Sequence, residues 1–184
     1  MDDIHSIINE SIEVHQRLGG IIGAISRVSD VMLECINTGG KVMFAGNGGS
    51  AGDAQHFAAE LVNRFLRERR PIAGMALTTD TSIITAVAND YSFDEIFSKQ
   101  VSAFGKKGDC FFGISTSGNS KNIVRAISEA SSMGITTIGL TGEHGRMETM
   151  VDHLIAVPSG STPRIQEAHI LIIHILCGII EEGL

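Results

Sequence analysis

Four side chains able to ligate a metal or move a proton stand at helical intervals: His56 and Glu60, four apart, and Gln166 and His174, eight apart. An α-helix turns about 100° per residue, so positions four apart share a face, one turn from each other. The first pair therefore has the spacing of metal ligands or of an acid–base couple. Eight residues carry Gln166 and His174 about 80° around the axis and about 12 Å along it, still near one face. His169, five residues before His174, points about 140° away and reads as structural. His174 lies in an otherwise aliphatic segment, where a buried imidazole is costly unless it has a hydrogen-bond partner.

Two loops supply the complementary chemistry. Gly46, Asn47, Gly48, Gly49 and Ser50 follow an apolar run and open a helix, so backbone N–H groups and the helix dipole face whatever lies beyond. The loop has neither the Gly-Lys-Ser/Thr ending of a Walker loop nor dinucleotide Gly-x-Gly-x-x-Gly spacing. Ser115, Thr116, Ser117, Gly118, Asn119 and Ser120 follow a second such run, giving four hydroxyls beside a helix N-terminus. Such a cradle can hold a phosphate dianion without a lysine inside it, and Lys121 could add charge. Either loop alone could be a tight turn with a serine cap. Two at the carboxyl ends of neighbouring parallel strands point to a ligand site.

The elements that must position these groups follow from periodicity. Residues 2–38 carry apolar positions at helical intervals and read as one or two amphipathic helices, with a break at Gly19-Gly20 and a stop at Gly39-Gly40. Short β-branched and apolar runs at 41–45, 72–77, 109–114, 136–140 and 154–157 read as strands. Helical segments are expected at about 50–66, 81–88, 94–104, 120–133 and 162–183. Strands alternating with helices predict an α/β fold: one doubly wound, flavodoxin-like, five-stranded parallel sheet with helices on both faces and a long N-terminal helical segment. With 184 residues and no evident linker or repeat, a single domain over 1–184 is expected.

Composition narrows the function. Fourteen basic against 21 acidic residues give a formal net charge of −7, which argues against a nucleic-acid footprint. Arg64, Arg67, Arg69 and Arg70 read as a solvated helix end. Cys35, Cys110 and Cys177 are widely spaced in apolar stretches and read as buried thiols of an intracellular protein, not a disulfide framework. Neither a signal peptide nor about 18 uninterrupted apolar residues is evident, so a cytoplasmic protein without membrane partners is expected. The last helix is apolar around most of its circumference, and the N-terminal segment has no strand of its own to cover. Both features predict a homo-oligomer.

In this order and context the residues resemble the sugar isomerase (SIS) family. The likeness runs through the two loops, residues 53–60, 76–82, 89–91 and 165–167, nearly the whole chain. The serine loop belongs to SIS proteins generally. His56 with Glu60 and Gln166 with His174 resemble the branch that interconverts sedoheptulose 7-phosphate and D-glycero-D-manno-heptose 7-phosphate, the first step toward activated heptose for surface glycans. The resemblance implies that Asn47, Gly48, Gly49, Asn89 and Asp90 line the substrate site and that Ser115, Thr116, Ser117 and Ser120 bind its phosphate. It implies one zinc per subunit on His56, Glu60, Gln166 and His174, with Glu60 and Gln166 also touching substrate, and a homotetramer. Lys121 and Gly52 depart from the family's commoner small residue or proline and alanine.

The implied reaction moves a carbonyl between C2 and C1 through an enediol, with Glu60 as base and His174 as acid. A metal-free Glu60/His174 pair would be an alternative to catalytic zinc. Two other functions fit the same fold: a non-catalytic oligomeric binding platform of the replication-initiator-associating type, and another SIS sugar-phosphate isomerase. The 12 Å axial offset of Gln166 and His174 makes a single-chain metal site with His56 and Glu60 difficult. The expectation is therefore an interfacial site, with His174 from one chain and at least one of His56 and Glu60 from its neighbour.

Overall fold

The structure, a computed structural model, describes residues 3–184. Helix α1 (Ile4–Arg17) starts at Asp3, whose carboxylate accepts from the His5 amide, and passes through a 3₁₀ turn at Leu18–Ile21 into α2 (Ile22–Asn37). The expected break at Gly19-Gly20 is thus a tightening of the helix, with the chain continuing onward. Beyond α2 come β1 (Val42–Ala45), α3 (Gly49–Val62), β2 (Gly74–Ala76) and α4 (Thr81–Asp90). The segment expected as one helix over 94–104 divides into a 3₁₀ turn, Phe93–Glu95, and α5 (Ser98–Phe104). The chain then runs through β3 (Cys110–Ser115), α6 (Lys121–Ser132), β4 (Thr136–Thr141), β5 (His153–Ala156) and α7 (Thr162–Glu182).

All five strands are parallel in the order β2-β1-β3-β4-β5. That order places the topological switch point between β1 and β3, where Ala45 pairs with Gly113. The loops leaving these two strands diverge to opposite faces and leave a crevice at their carboxyl ends. Every residue of β1 and β3 is buried, as expected of central parallel strands covered on both sides.

One face of the sheet is covered by the layer of α1, α2, α3 and α7, the other chiefly by α5 and α6. On the first face Phe44, Phe57 and Phe112 meet with ring centroids 4.5 to 5.7 Å apart. Helix α7, 21 residues long, is apolar enough by length and composition to cross a membrane. Its inner stripe, including Ile165, Ala168, Ile172, Ile173, Leu176 and Ile180, instead fills the core against α2 and α3. The three cysteines are free and buried.

Of the arginine cluster, Arg64, Arg67 and Arg70 are exposed, as expected of a solvated helix end, but Arg69 is not. Helix α3 stops at Val62, and Arg69 folds back so that its guanidinium donates to the carbonyls of Glu60 (2.6 Å), Leu61 (2.7 Å) and Asn63 (3.1 Å). These are carbonyls at the end of α3, so Arg69 satisfies acceptors the helix leaves open and adds positive charge at the favourable end of its dipole. The buried Glu181 carboxylate accepts from the amides of Phe65, Leu66 and Arg67. That loop is therefore pinned to α7.

Candidate active site

Helices α3 and α7 lie side by side on the same face of the sheet, and each carries one half of the proposed chemical set. His56 Nε2 is 3.0 Å from His174 Nε2 and 3.4 Å from Glu60 Oε1, all within one chain. The side chains of His56 and Glu60 are 43% and 22% exposed, so a small molecule can reach them. Phe65, held by the loop that Glu181 anchors, stacks on the His174 ring at 5.5 Å. This aromatic wall had no sequence signal, because the loop has no periodicity.

The convergence corrects the expectation that His174 must meet His56 and Glu60 across a subunit boundary. The axial offset along α7 is real, but α3 runs beside it and offers a partner at each level. Gln166 sits at the other level. A Cβ added to Gly49 would fall 2.4 Å from Gln166 Nε2, so glycine at the start of α3 is what lets the amide lie over the backbone. His56 is seven residues further along α3, about 10.5 Å. The four proposed ligands thus divide into His56, Glu60 and His174 at one level and Gln166 at the other.

Two imidazole nitrogens and a carboxylate oxygen form a donor set of the type that binds zinc. Donors of a tetrahedral site with bonds of about 2.0–2.2 Å stand about 3.3 Å apart, close to the separations around His56 Nε2. Among the described residues no three His, Cys, Asp or Glu side chains already surround one point. The donor types suit zinc, although the described residues as they stand do not close a metal shell.

At the switch point the serine loop is held in place from within. Ser115 Oγ lies 2.9 Å from Ser120 Oγ and 3.4 Å from Ser117 Oγ. The Ser120 hydroxyl makes no capping bond to α6, so the bland reading of a serine cap is not realised. Gly118 takes φ +62°, and a Cβ there would come 2.9 Å from the His144 carbonyl, so the turn needs glycine for both reasons. Asn119 braces it further, donating to Ser117 O at 2.8 Å and accepting from the Arg146 amide at 3.0 Å. Thr116 and Ser117 line a cavity of about 210 Å³ with Glu143, His144, Ser159 and Thr162. A depression of about 400 Å³ at Ser131, Gly134, Thr136 and Asp152 lies at the amino ends of the strands, away from these loops.

The first loop leaves Gly48 at φ +56° as the residue preceding α3, while Ser50 is buried and its amide donates to the Asn47 carbonyl at 3.0 Å. Asn47 and the buried Asn122 form a reciprocal amide pair of 2.9 and 2.8 Å. Sequence reasoning missed Asn122. Its signal was a polar residue in phase with Ala126 and Ala130 on the inward stripe of α6. Asn89 and Asp90 are exposed at the end of α4, where the Asn89 amide donates to the Asp90 carboxylate at 2.8 Å. The two side chains bond to each other, not to the serine loop. Lys121 is exposed at the start of α6.

A half-buried carboxyl and a buried imidazole flank this region. Burial raises the Asp53 carboxyl to about 6, against the opposing pull of His56, one turn along α3. His169 is fully buried, and desolvation lowers its imidazole to about 4 although the Thr141 carbonyl, 3.1 Å from Nε2, favours the protonated ring. That carbonyl is the partner of a neutral, structural histidine, as its direction on the helix predicted.

A crevice at the switch point, a hydroxyl-lined loop beside it and a parallel α/β sheet describe an SIS fold, and the SIS domain model matches residues 8–142. The phosphoheptose isomerase of Rhodospirillum rubrum is 51% identical over 184 residues, covering 100% of this chain and 98% of the relative. Among solved structures, phosphoheptose isomerases from Francisella tularensis (41% identity, TM-score 0.95, 98% of this chain and 97% of that one) and Neisseria gonorrhoeae (43%, 0.91, 97% and 97%) share the fold. The chain belongs to the phosphoheptose isomerase family of SIS proteins.

Proposed function

We propose that this chain interconverts sedoheptulose 7-phosphate and D-glycero-D-manno-heptose 7-phosphate, the first step toward activated heptose for surface glycans. The observation that carries the mechanism is the meeting of His56, Glu60 and His174 in one chain. An aldose–ketose isomerase needs a base for a carbon-bound proton and an acid for the oxygens, and this cluster contains both types of group. Glu60 removes the proton from C1 of the ketose and returns one to C2 of the enediol. His174 moves a proton between the C1 and C2 oxygens as the carbonyl changes place. Ser115, Thr116, Ser117 and Ser120, with the N-terminal dipole of α6, hold the phosphate in both ground and transition states.

One zinc per subunit, held by His56, Glu60 and His174, would supply Lewis-acid stabilisation for the charge that develops on the two oxygens. Gln166, whose amide lies against Gly49, is proposed to touch the substrate and is the fourth candidate ligand. Asn47, Gly48, Gly49, Asn89 and Asp90 complete the proposed substrate site. A homotetramer is supported by exposed apolar side chains: Ile4, Ile7, Ile8 and Ile12 stripe α1, and Leu171 and Ile175 lie on the outer side of α7. The cytoplasm, where sugar phosphates are made, is the proposed compartment. A non-catalytic binding platform has no need of an acid, a base and a phosphate cradle together. The test is to incubate purified protein with sedoheptulose 7-phosphate and follow the aldose by NMR; no aldose from folded, zinc-supplied protein would overturn the proposal.

A further inference from the structure

The Asn47–Asn122 pair joins the two ligand loops at the one place where the sheet's chain order reverses. Asn47 Nδ2 donates to Asn122 Oδ1 at 2.9 Å, and Asn122 Nδ2 donates to Asn47 Oδ1 at 2.8 Å. Asn122 Oδ1 also accepts from the Ile123 amide at 2.9 Å. That third bond orients the Asn122 amide, because the flipped form would set NH₂ against an N–H donor. The orientation of Asn47 follows. Its amide spends one N–H and one lone pair on Asn122 and keeps one of each, beside the Gly48 and Gly49 backbone, for a ligand.

We propose that Asn122 is a positioning residue: through Asn47 it fixes the spacing between the Gly46–Gly49 backbone and the serine cradle. The inference rests on the reading of these loops as a sugar-phosphate site. Asn122 is 2% exposed, so its amide must find partners inside the protein, and half of that need is met by a residue of the other loop. A packing role alone would be served by any side chain of the same volume. An apolar residue on the same stripe as Ala126 and Ala130 would fill the position without joining the loops.

Asn122→Leu keeps the volume and removes both inter-loop bonds. Its KM for sedoheptulose 7-phosphate should rise roughly tenfold, the scale of one or two net hydrogen bonds, with kcat within about threefold of wild type. Asn47→Ala removes the same two bonds together with a proposed substrate-site side chain, so its KM should rise at least as far, and Asn122→Ala tests the pair from α6 should the leucine variant fold poorly. The double variant should bind no worse than the weaker single one, because both remove one interaction. Losses that add in the double variant, or a changed melting temperature with an unchanged KM, would overturn the proposal. Hydrogen exchange of the Ser50 and Ala51 amides, which bond to the carbonyls of Asn47 and Gly48, gives a readout independent of the reaction. Faster exchange in Asn122→Leu, in a protein whose wild type forms no aldose, would leave the positioning role standing and remove the functional reading. Unchanged exchange and unchanged KM in an active enzyme would remove the positioning role alone.

Discussion

The buried His169 should make the protein acid-sensitive in a defined window. Burial disfavours the charged ring and lowers its imidazole from the ordinary 6.5 to about 4 in the folded chain. Between those values the unfolded chain takes up a proton that the folded one refuses, so unfolding gains as pH falls. The contribution is fully present above about pH 6.5 and is lost progressively down to about pH 4. A difference of about 2.5 pKa units corresponds to about 3 kcal/mol. His169→Gln keeps an N–H donor for the Thr141 carbonyl and abolishes the titration. The assay is urea unfolding at pH 7, 5.5 and 4, at one fixed protein concentration because association contributes to stability. Wild type should lose about 3 kcal/mol more than His169→Gln between pH 7 and 4. Subtracting the variant cancels the opposite contribution of Asp53, whose raised carboxyl destabilises the fold as pH climbs toward about 6. Parallel pH profiles for the two proteins would refute the assignment of a neutral buried imidazole.

Three further outcomes test the site itself. Glu60→Gln should fold and assemble as wild type with kcat reduced at least ~10²-fold, the usual scale for a general base; near-normal turnover would remove Glu60 from the chemistry. Ser120→Ala, which breaks the 2.9 Å contact with Ser115, should mainly raise KM, and a fall in kcat at constant KM would contradict a phosphate-holding role. Because one chain already assembles His56, Glu60 and His174, mixed oligomers of His174→Ala and Glu60→Ala protein should recover no activity. Recovery in such mixtures would show that the cluster is shared between chains.

The repeating strand and helix signals were legible because each is local: β1 and β3 are continuous apolar runs, and the helices carry their own period. The flavodoxin-like expectation agrees with the observed order β2-β1-β3-β4-β5, but strand–helix alternation did not choose it, since right-handed crossovers restrict the windings of five parallel strands without fixing one. Boundaries were less secure where the backbone is set by contacts from elsewhere. Helix α3 ends at Val62 because Arg69 and Glu181 fix the following loop, and β2 shrinks to Gly74–Ala76 at the sheet edge. The residue types of the site were readable in the same way, as imidazole, carboxylate and hydroxyl at motif spacing. Their grouping was not. His56 and His174 are 118 positions apart, and only the packing of α3 beside α7 on one sheet face puts their nitrogens 3.0 Å apart and leaves Gln166 two turns away on Gly49. Asn122 makes the same point from the core side: the sequence marked it as a polar residue on an apolar stripe, but its partner lies 75 positions away on another strand's loop. Periodicity constrains which way a side chain faces; which other side chain waits there is decided by how the layers pack.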